Sequence, residues 1–169
     1  MAFKKKSELV EISDRVTSSD GNAFEQLEVS LPLDTLSQEI FVVTDITLDP
    51  DEPSHAAGLS SRVSASVTST SQTGVQDISN PRCMSSVRTN FLSIGAEGSW
   101  FNVRMPNVLD STGTTRDYLG IIATPNFFVQ LAGLNNTSAK ACNFRVTGYR
   151  AVADQATYSA LVASEVLSN

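Results

Sequence analysis

Alternation of apolar and polar residues with a period of two runs through most of this chain and gives way to a helical period only near its end. The clearest stretch is 141–150. There Cys142, Phe144, Val146 and Gly148 share one face, and Asn143, Arg145, Thr147 and Tyr149 the other, which predicts a half-buried antiparallel strand. Two apolar runs precede it. Residues 118–123 stop at Thr124-Pro125-Asn126, where the proline fixes φ and removes a ladder donor. Residues 127–132 end in Gly133-Leu134-Asn135-Asn136, which suits a reversal into a hairpin. Upstream, 39–48 is rich in β-branched residues. It predicts Ile40, Val42, Thr44 and Ile46 on one side and Phe41, Val43, Asp45 and Thr47 on the other. Apolar residues on both sides of its first half make it a central strand.

Four further strands follow from the same reasoning. Residues 27–31 alternate up to Pro32, and 62–72 alternate Val63, Ala65 and Val67 with Ser64, Ser66 and Thr68. Residues 84–94 precede the break at Gly95-Ala96-Glu97-Gly98, and 99–105 carry Trp100, an interface anchor or a half-buried core residue. With 39–48, 118–123, 127–132 and 141–150, the expected total is eight strands with no helix between them. That predicts an all-β antiparallel sandwich, and eight is the number of a jelly roll. From Asp154, an expected N-cap, the spacing of Tyr158, Leu161, Val162 and Val166 predicts a helix of about three turns. Its apolar stripe docks on the sandwich or on a neighbouring copy. The expected division is an N-terminal arm over 1–26, a sandwich over 27–153 and a C-terminal helix over 154–169. Within the first segment, 7–30 reads as arm or as a strand paired with a neighbour.

Composition adds a constraint. Of the 169 residues only 18% are charged against about 25% on average, while 41% are hydrophobic. Ser, Thr and Asn must therefore supply much of the polar surface. Such a surface suits crowded sheets, a protein covered by neighbours, or an ordinary extracellular or saline environment. A net charge of −6 opposes general nucleic-acid binding, which needs a basic face. Lys4, Lys5 and Lys6 are the local exception: an arm reaching a phosphate backbone or an acidic neighbour, or a solvated tail.

No catalytic constellation emerges. The chain has one histidine, His55, and no G-x-S-x-G, so no nucleophile and base can be named, and no enzyme is expected. Asp49, Asp51 and Glu52 offer oxygens to Ca²⁺, but EF-hand spacing is absent and a solvated, proline-stiffened loop is the competing reading. Cys83 and Cys142 belong to no metal-ligand pattern; Cys142 is expected as a buried free thiol, the alternative being a disulfide that ties the middle of the chain to the final hairpin. The first residues turn charged at once, without the apolar core of a signal peptide, and no run approaches the ~18 residues of a membrane span. A soluble protein made in a cytoplasm is the expectation.

The lysine-bearing start, the Ser/Thr-rich body, the long polar loops, and the ending LGIIATPNFFVQLAGLNN followed by FRVTGYRAVADQATYSALVASEVLSN together resemble the small single jelly-roll capsid proteins of icosahedral viruses, environmental phages in particular. The likeness is architectural and covers most of the chain. It implies self-association into a closed shell, a place in the virion after synthesis in a host cytoplasm, and copies of itself and other capsid proteins as partners. It also implies termini that reach neighbours or the genome. The contact residues expected on that basis are Phe3, Lys4, Lys5, Lys6, Tyr158, Leu161, Val162 and Val166, with no cofactor. The acidic body departs from strongly genome-binding coats and leaves at most weak genome contact through the lysines. The competing expectation is a carbohydrate- or receptor-binding sandwich, adhesin or spike-like, with Trp100, Tyr118, Tyr149 and Tyr158 as its aromatic candidates. Aromatics make up 7% of the chain and are scattered in sequence, which counts against it.

Overall fold

Ten strands and one α-helix carry the chain in the computed structural model, which describes residues 3–55, 58–94, 99–107 and 117–166, with side chains for all of these except 94, 99–107 and 166. The strands are β1 (Phe3–Lys5), β2 (Val10–Thr17), β3 (Phe24–Ser30), β4 (Glu39–Pro50), β5 (Ser61–Thr68), β6 (Cys83–Ile94), β7 (Ser99–Asn107), β8 (Gly120–Ile122), β9 (Asn126–Leu134) and β10 (Ala141–Ala153). The helix, α1, spans Gln155–Val166. Strands lie at all eight expected places, with ends shifted by a few residues, but β1 and β2 bring the described total to ten in place of the expected eight.

Two antiparallel sheets form. The first runs β1-β10-β4-β8, with β2 also on β10, and the second runs β3-β9-β5-β6-β7. Because β4 occupies one edge of β10 along residues 142–152, β1 and β2 lie end to end on the other edge, opposite 151–153 and 141–148. The pairings are nested. β5 pairs β6, β4 pairs β8, β3 pairs β9 and β2 pairs β10, so the chain is one long antiparallel ribbon bent back at the β5–β6 connection.

The segment expected as an N-terminal arm, 1–26, thus supplies β1, β2 and the start of β3 to the chain's own sheets. Its weak apolar pattern has a physical cause. An edge strand facing solvent needs few apolar residues, and on β2 only Val16 is buried, with Ile12 half-buried.

The main core fills the space between the sheets. Val63, Ala65 and Val67 of β5 and Phe127, Val129 and Leu131 of β9 meet Phe41, Val43 and Leu48 of β4 and Cys142, Phe144 and Val146 of β10. Phe127 and Phe144 touch edge to face across the two sheets, with ring centroids 6.4 Å apart. Both cysteines are free thiols, Cys142 fully buried and Cys83 half-buried.

The alternation expected along 39–48 holds only to Val43. The register between β4 and β10 slips at Thr147/Gly148, where Gly148 stands opposite Val43 and Thr44 is the extra residue. Thr44 donates its hydroxyl to the Thr147 carbonyl at 3.1 Å. The bulge inverts the parity. Phe41, Val43, Ile46 and Leu48 belong to the inner core, while Ile40 and Val42 belong to a second apolar cluster on the sheet's other face.

The second sheet is covered on its outer face by residues 69–82. Ser66, Thr68 and Gln130 are completely buried there, although all are polar. The Gln130 amide donates to Thr68 Oγ1 at 2.6 Å and to Gln26 Oε1 at 3.1 Å, and its oxygen accepts from Ser66 Oγ at 2.8 Å. Backbone N–H groups of Gln72 and Gln76 close the network on Gln26 and Ser66. This stretch, rich in Ser, Thr and Gln, therefore builds an ordered cover held by hydrogen bonds.

Candidate functional site

Four of the expected contact residues, Phe3, Tyr158, Leu161 and Val162, converge on one corner, the outer face of the first sheet where β1 and α1 meet. Asp154 caps α1: its carboxylate accepts the Thr157 N–H at 2.8 Å and the Thr157 hydroxyl at 3.0 Å. Those bonds hold its carboxyl below the usual aspartate range, the Thr157 backbone N–H contributing most. The helix starts beside Gln38, whose amide donates to Gln155, and ends beside Ala123. Its stripe of Tyr158, Leu161 and Val162 packs with Phe3, Ile121 and Tyr149 against Ile40, Val42, Ala123, Ala151 and Ala153.

The N-terminal strand lies against the same corner. Phe3 meets Tyr118 edge to face at 6.0 Å, and Lys5 Nζ stands 5.3 Å over the Tyr149 ring. Lys6 pairs with Glu39 at 2.7 Å, and the other Glu39 oxygen accepts the Asp34 N–H at 2.9 Å. Glu39 is almost wholly buried, and the Asp34 N–H, followed by Lys6, holds its carboxyl below the usual range. Lys4 is exposed on β1. Phe3, Tyr158, Leu161 and Val162 are therefore brought together, but each is half-buried against its own chain. The Val166 side chain lies outside those described.

One residue of this corner escapes the apolar pattern. Glu165 falls seven residues after Tyr158, on the stripe that Tyr158, Leu161 and Val162 define, and it is 4% exposed. One carboxylate oxygen accepts the Ala123 N–H at 3.3 Å, and burial pushes its carboxyl above the ordinary glutamate range. A charged residue at an i+7 position on an otherwise apolar stripe was the signal in the sequence that marks it.

The aromatic candidates gather as well. Tyr118, Tyr149 and Tyr158 all sit at this corner with Phe3, whereas the Trp100 side chain lies outside those described. Elsewhere on the first sheet the outer face is polar. An open groove of about 540 Å³ there is lined by Ser13, Arg15, Thr47, Asp49, Asn143 and Arg145, among others. Asp51 accepts the Ala141 N–H at 2.8 Å and stands 3.9 Å from Arg15, while Glu52 is exposed. Among the described residues no three His, Cys, Asp or Glu side chains gather as metal ligands, and no helix is long and apolar enough to cross a membrane. His55 stacks on Phe91, with ring centroids 3.9 Å apart.

Compared with models of known protein families and with curated proteins, the chain matches none.

Proposed function

We propose that this chain is a jelly-roll structural protein that packs against copies of itself to form an icosahedral virus shell. The observation that carries the reading is the nested pairing of β5 with β6, β4 with β8, β3 with β9 and β2 with β10. That pairing supports reading the ribbon as a jelly roll, folded once and rolled so that its pairs alternate between two facing sheets, with β7 an added edge strand. That plan serves viral capsids, lectins and cupins alike, so a second property has to select among them. The sparse charge, 18% of residues, favours the shell, because burying an uncharged polar surface against neighbours costs less desolvation. A place in the virion, synthesis in a host cytoplasm, other capsid proteins as partners and weak genome contact through Lys4, Lys5 and Lys6 belong to the same proposal. So does the absence of catalysis and of a required cofactor.

A carbohydrate- or receptor-binding module is the second reading, favoured by the gathering of Tyr118, Tyr149 and Tyr158 around Phe3. Size-exclusion chromatography with light scattering, followed by electron microscopy of the leading fraction, separates the two. Uniform closed particles are expected. A monomer at all concentrations and salt strengths, together with hits on a glycan array, would transfer the assignment to the binding module. Deleting residues 154–169 is expected to disturb particle formation, and unchanged particles would reduce α1 to a lid.

A further inference from the structure

One edge of β2 has no strand beside it among the described residues: β2 pairs with β10 on one side, and no described strand lies on the other. Of its eight residues only Ile12 and Val16 are even partly buried. The phase of its ladder follows from Ser18, whose N–H donates to the Lys140 carbonyl at 2.8 Å in the register that sets Thr17 opposite Ala141. Even-numbered residues of β2 therefore spend their backbone groups on β10, and Glu11, Ser13 and Arg15 turn theirs to the open edge. A long exposed edge is a template for a further strand unless something blocks it. Asp14 blocks this one only in part: its carboxylate accepts the Arg15 N–H at 2.8 Å.

Charge selects the occupant. Glu11 and Arg15 lie on the outer face of the sheet, two residues to either side of Ser13. Their partners within the chain hold them loosely. Arg145 stands 4.0 Å from Glu11 and Asp51 3.9 Å from Arg15, and the Glu11, Arg15 and Arg145 side chains are each more than half exposed. We propose that this edge pairs antiparallel with the β2 edge of a second copy of the chain, about a two-fold axis through Ser13. Ser13 then faces Ser13, Glu11 faces Arg15 in both directions, and Val10 faces Val16. Each new pair completes a row of alternating sign, Asp51, Arg15, Glu11 and Arg145, that runs from one copy into the next. Neighbouring registers lose this row. An axis through Asp14 sets Asp14 against itself, and one through Ile12 sets Arg15 against Leu9 and Glu11 against Ser13. On pairing, the Arg15 N–H leaves the Asp14 carboxylate for the Glu11 carbonyl of the second copy. The contact rests on the self-association of the shell reading, but it needs only two copies.

Disulfide trapping tests it, with the linked positions identified by mass spectrometry so that Cys83 and Cys142 are told apart. Opposed Cα atoms in hydrogen-bonded pairs stand about 5.5 Å apart, within the roughly 4.4–6.8 Å that a disulfide spans. Ser13→Cys is expected to form linked pairs at least tenfold faster than Leu36→Cys, a position outside β2 that is 94% exposed. Glu11→Cys mixed with Arg15→Cys is expected to link to each other at least tenfold faster than either links to itself. In the mixed pair one Glu11–Arg15 contact stays intact. Adding Glu11→Pro to Ser13→Cys removes an edge N–H that the β10 ladder does not use, and is expected to slow trapping at least tenfold with an unchanged circular dichroism spectrum. Trapping of Ser13→Cys no faster than Leu36→Cys, no preference for the mixed pair, or unchanged trapping in a folded proline variant overturns the contact. Should the proline variant lose its fold, the mixed-cysteine comparison decides alone. Trapped pairs without closed particles uphold the contact while the shell reading falls. Closed particles in which Ser13→Cys does not trap keep the shell and overturn the contact.

Discussion

The ring of Phe41 fills the space that a side chain at residue 148 would need: a Cβ on Gly148 would stand 2.6 Å from Phe41 Cε1 and 2.4 Å from the Val42 carbonyl oxygen. The Val42 oxygen is backbone in the central strand of the sheet and cannot yield as a flexible side chain would. Gly148→Ala is expected to cost about 1–3 kcal/mol through overpacking, at the upper end of that range, read as a lower urea midpoint with unchanged slope.

Gln130 is the hub of the polar layer beneath residues 69–82. Gln130→Leu removes the acceptor of the Ser66 hydroxyl while leaving Ser66 buried, a change expected to cost about 1–3 kcal/mol. Backbone amides of Gln72 and Gln76 should then exchange with solvent faster. Adding Ser66→Ala is expected to recover part of the loss, and a double-mutant cycle measures that coupling.

Glu39 ties β1 to the start of β4. Its folded-state pKa is lowered, so the stability it contributes is present above the ordinary glutamate range and disappears as the pH falls through the lowered value. Glu39→Gln is expected to cost about 1–2 kcal/mol at neutral pH and to flatten the acid limb of the stability curve. Limited proteolysis should find residues 3–9 more accessible in the variant.

Glu165 runs the other way. Burial raises its folded-state pKa, so α1 is held most firmly below the ordinary glutamate pKa of about 4.3 and loosens as the pH rises through the raised value. The facing groups do not cancel this trend: the Ala123 N–H, Thr124 and Arg82 only partly offset it, and the Cys83 thiol, pushed up to about 11 by burial, stays neutral. Hydrogen exchange in α1, corrected for intrinsic rates across pH 4 to 8, is expected to show that loosening, and Glu165→Gln should remove it.

Much of this arrangement can be read from the chain. The alternation of Cys142, Phe144, Val146 and Gly148 against Asn143, Arg145, Thr147 and Tyr149 holds residue by residue in β10, because a strand with one face in the core must repeat every two residues. It fails in β4, where the bulge at Thr44 re-aims the strand so that the same element is apolar outward under α1 and polar outward beyond it. The residue that announces that bulge lies on the partner strand: Gly148, an isolated glycine at the register slip, leaves the room that the Phe41 ring takes. β2 was legible only as an arm or a strand paired with a neighbour, because an outer lane buries too little to leave a firm pattern. Ser66, Thr68 and Gln130 look like surface by composition and are core by hydrogen bonding. The helix and its cap were legible, but Glu165 was not, since the apolar stripe was traced through apolar residues alone. The expectations for Trp100 and Val166 lie outside the described side chains.

The rolled ribbon also imposes an order in time. β5 meets β6 across a single connection, with Thr68 opposite Cys83, whereas β2 meets β10 almost a chain length away, with Val16 opposite Cys142. Closing the outer pair first would sacrifice far more chain entropy than closing the inner one, and topologies rich in such distant pairs fold in roughly milliseconds to seconds. Assembly of the sheets is therefore expected to zip outward from β5 and β6, with β2 waiting unpaired until β10 arrives. Pulse-labelled hydrogen exchange during refolding should protect Ala65 and Val87 well before Ile12 and Val146, and simultaneous protection of all four would contradict that order.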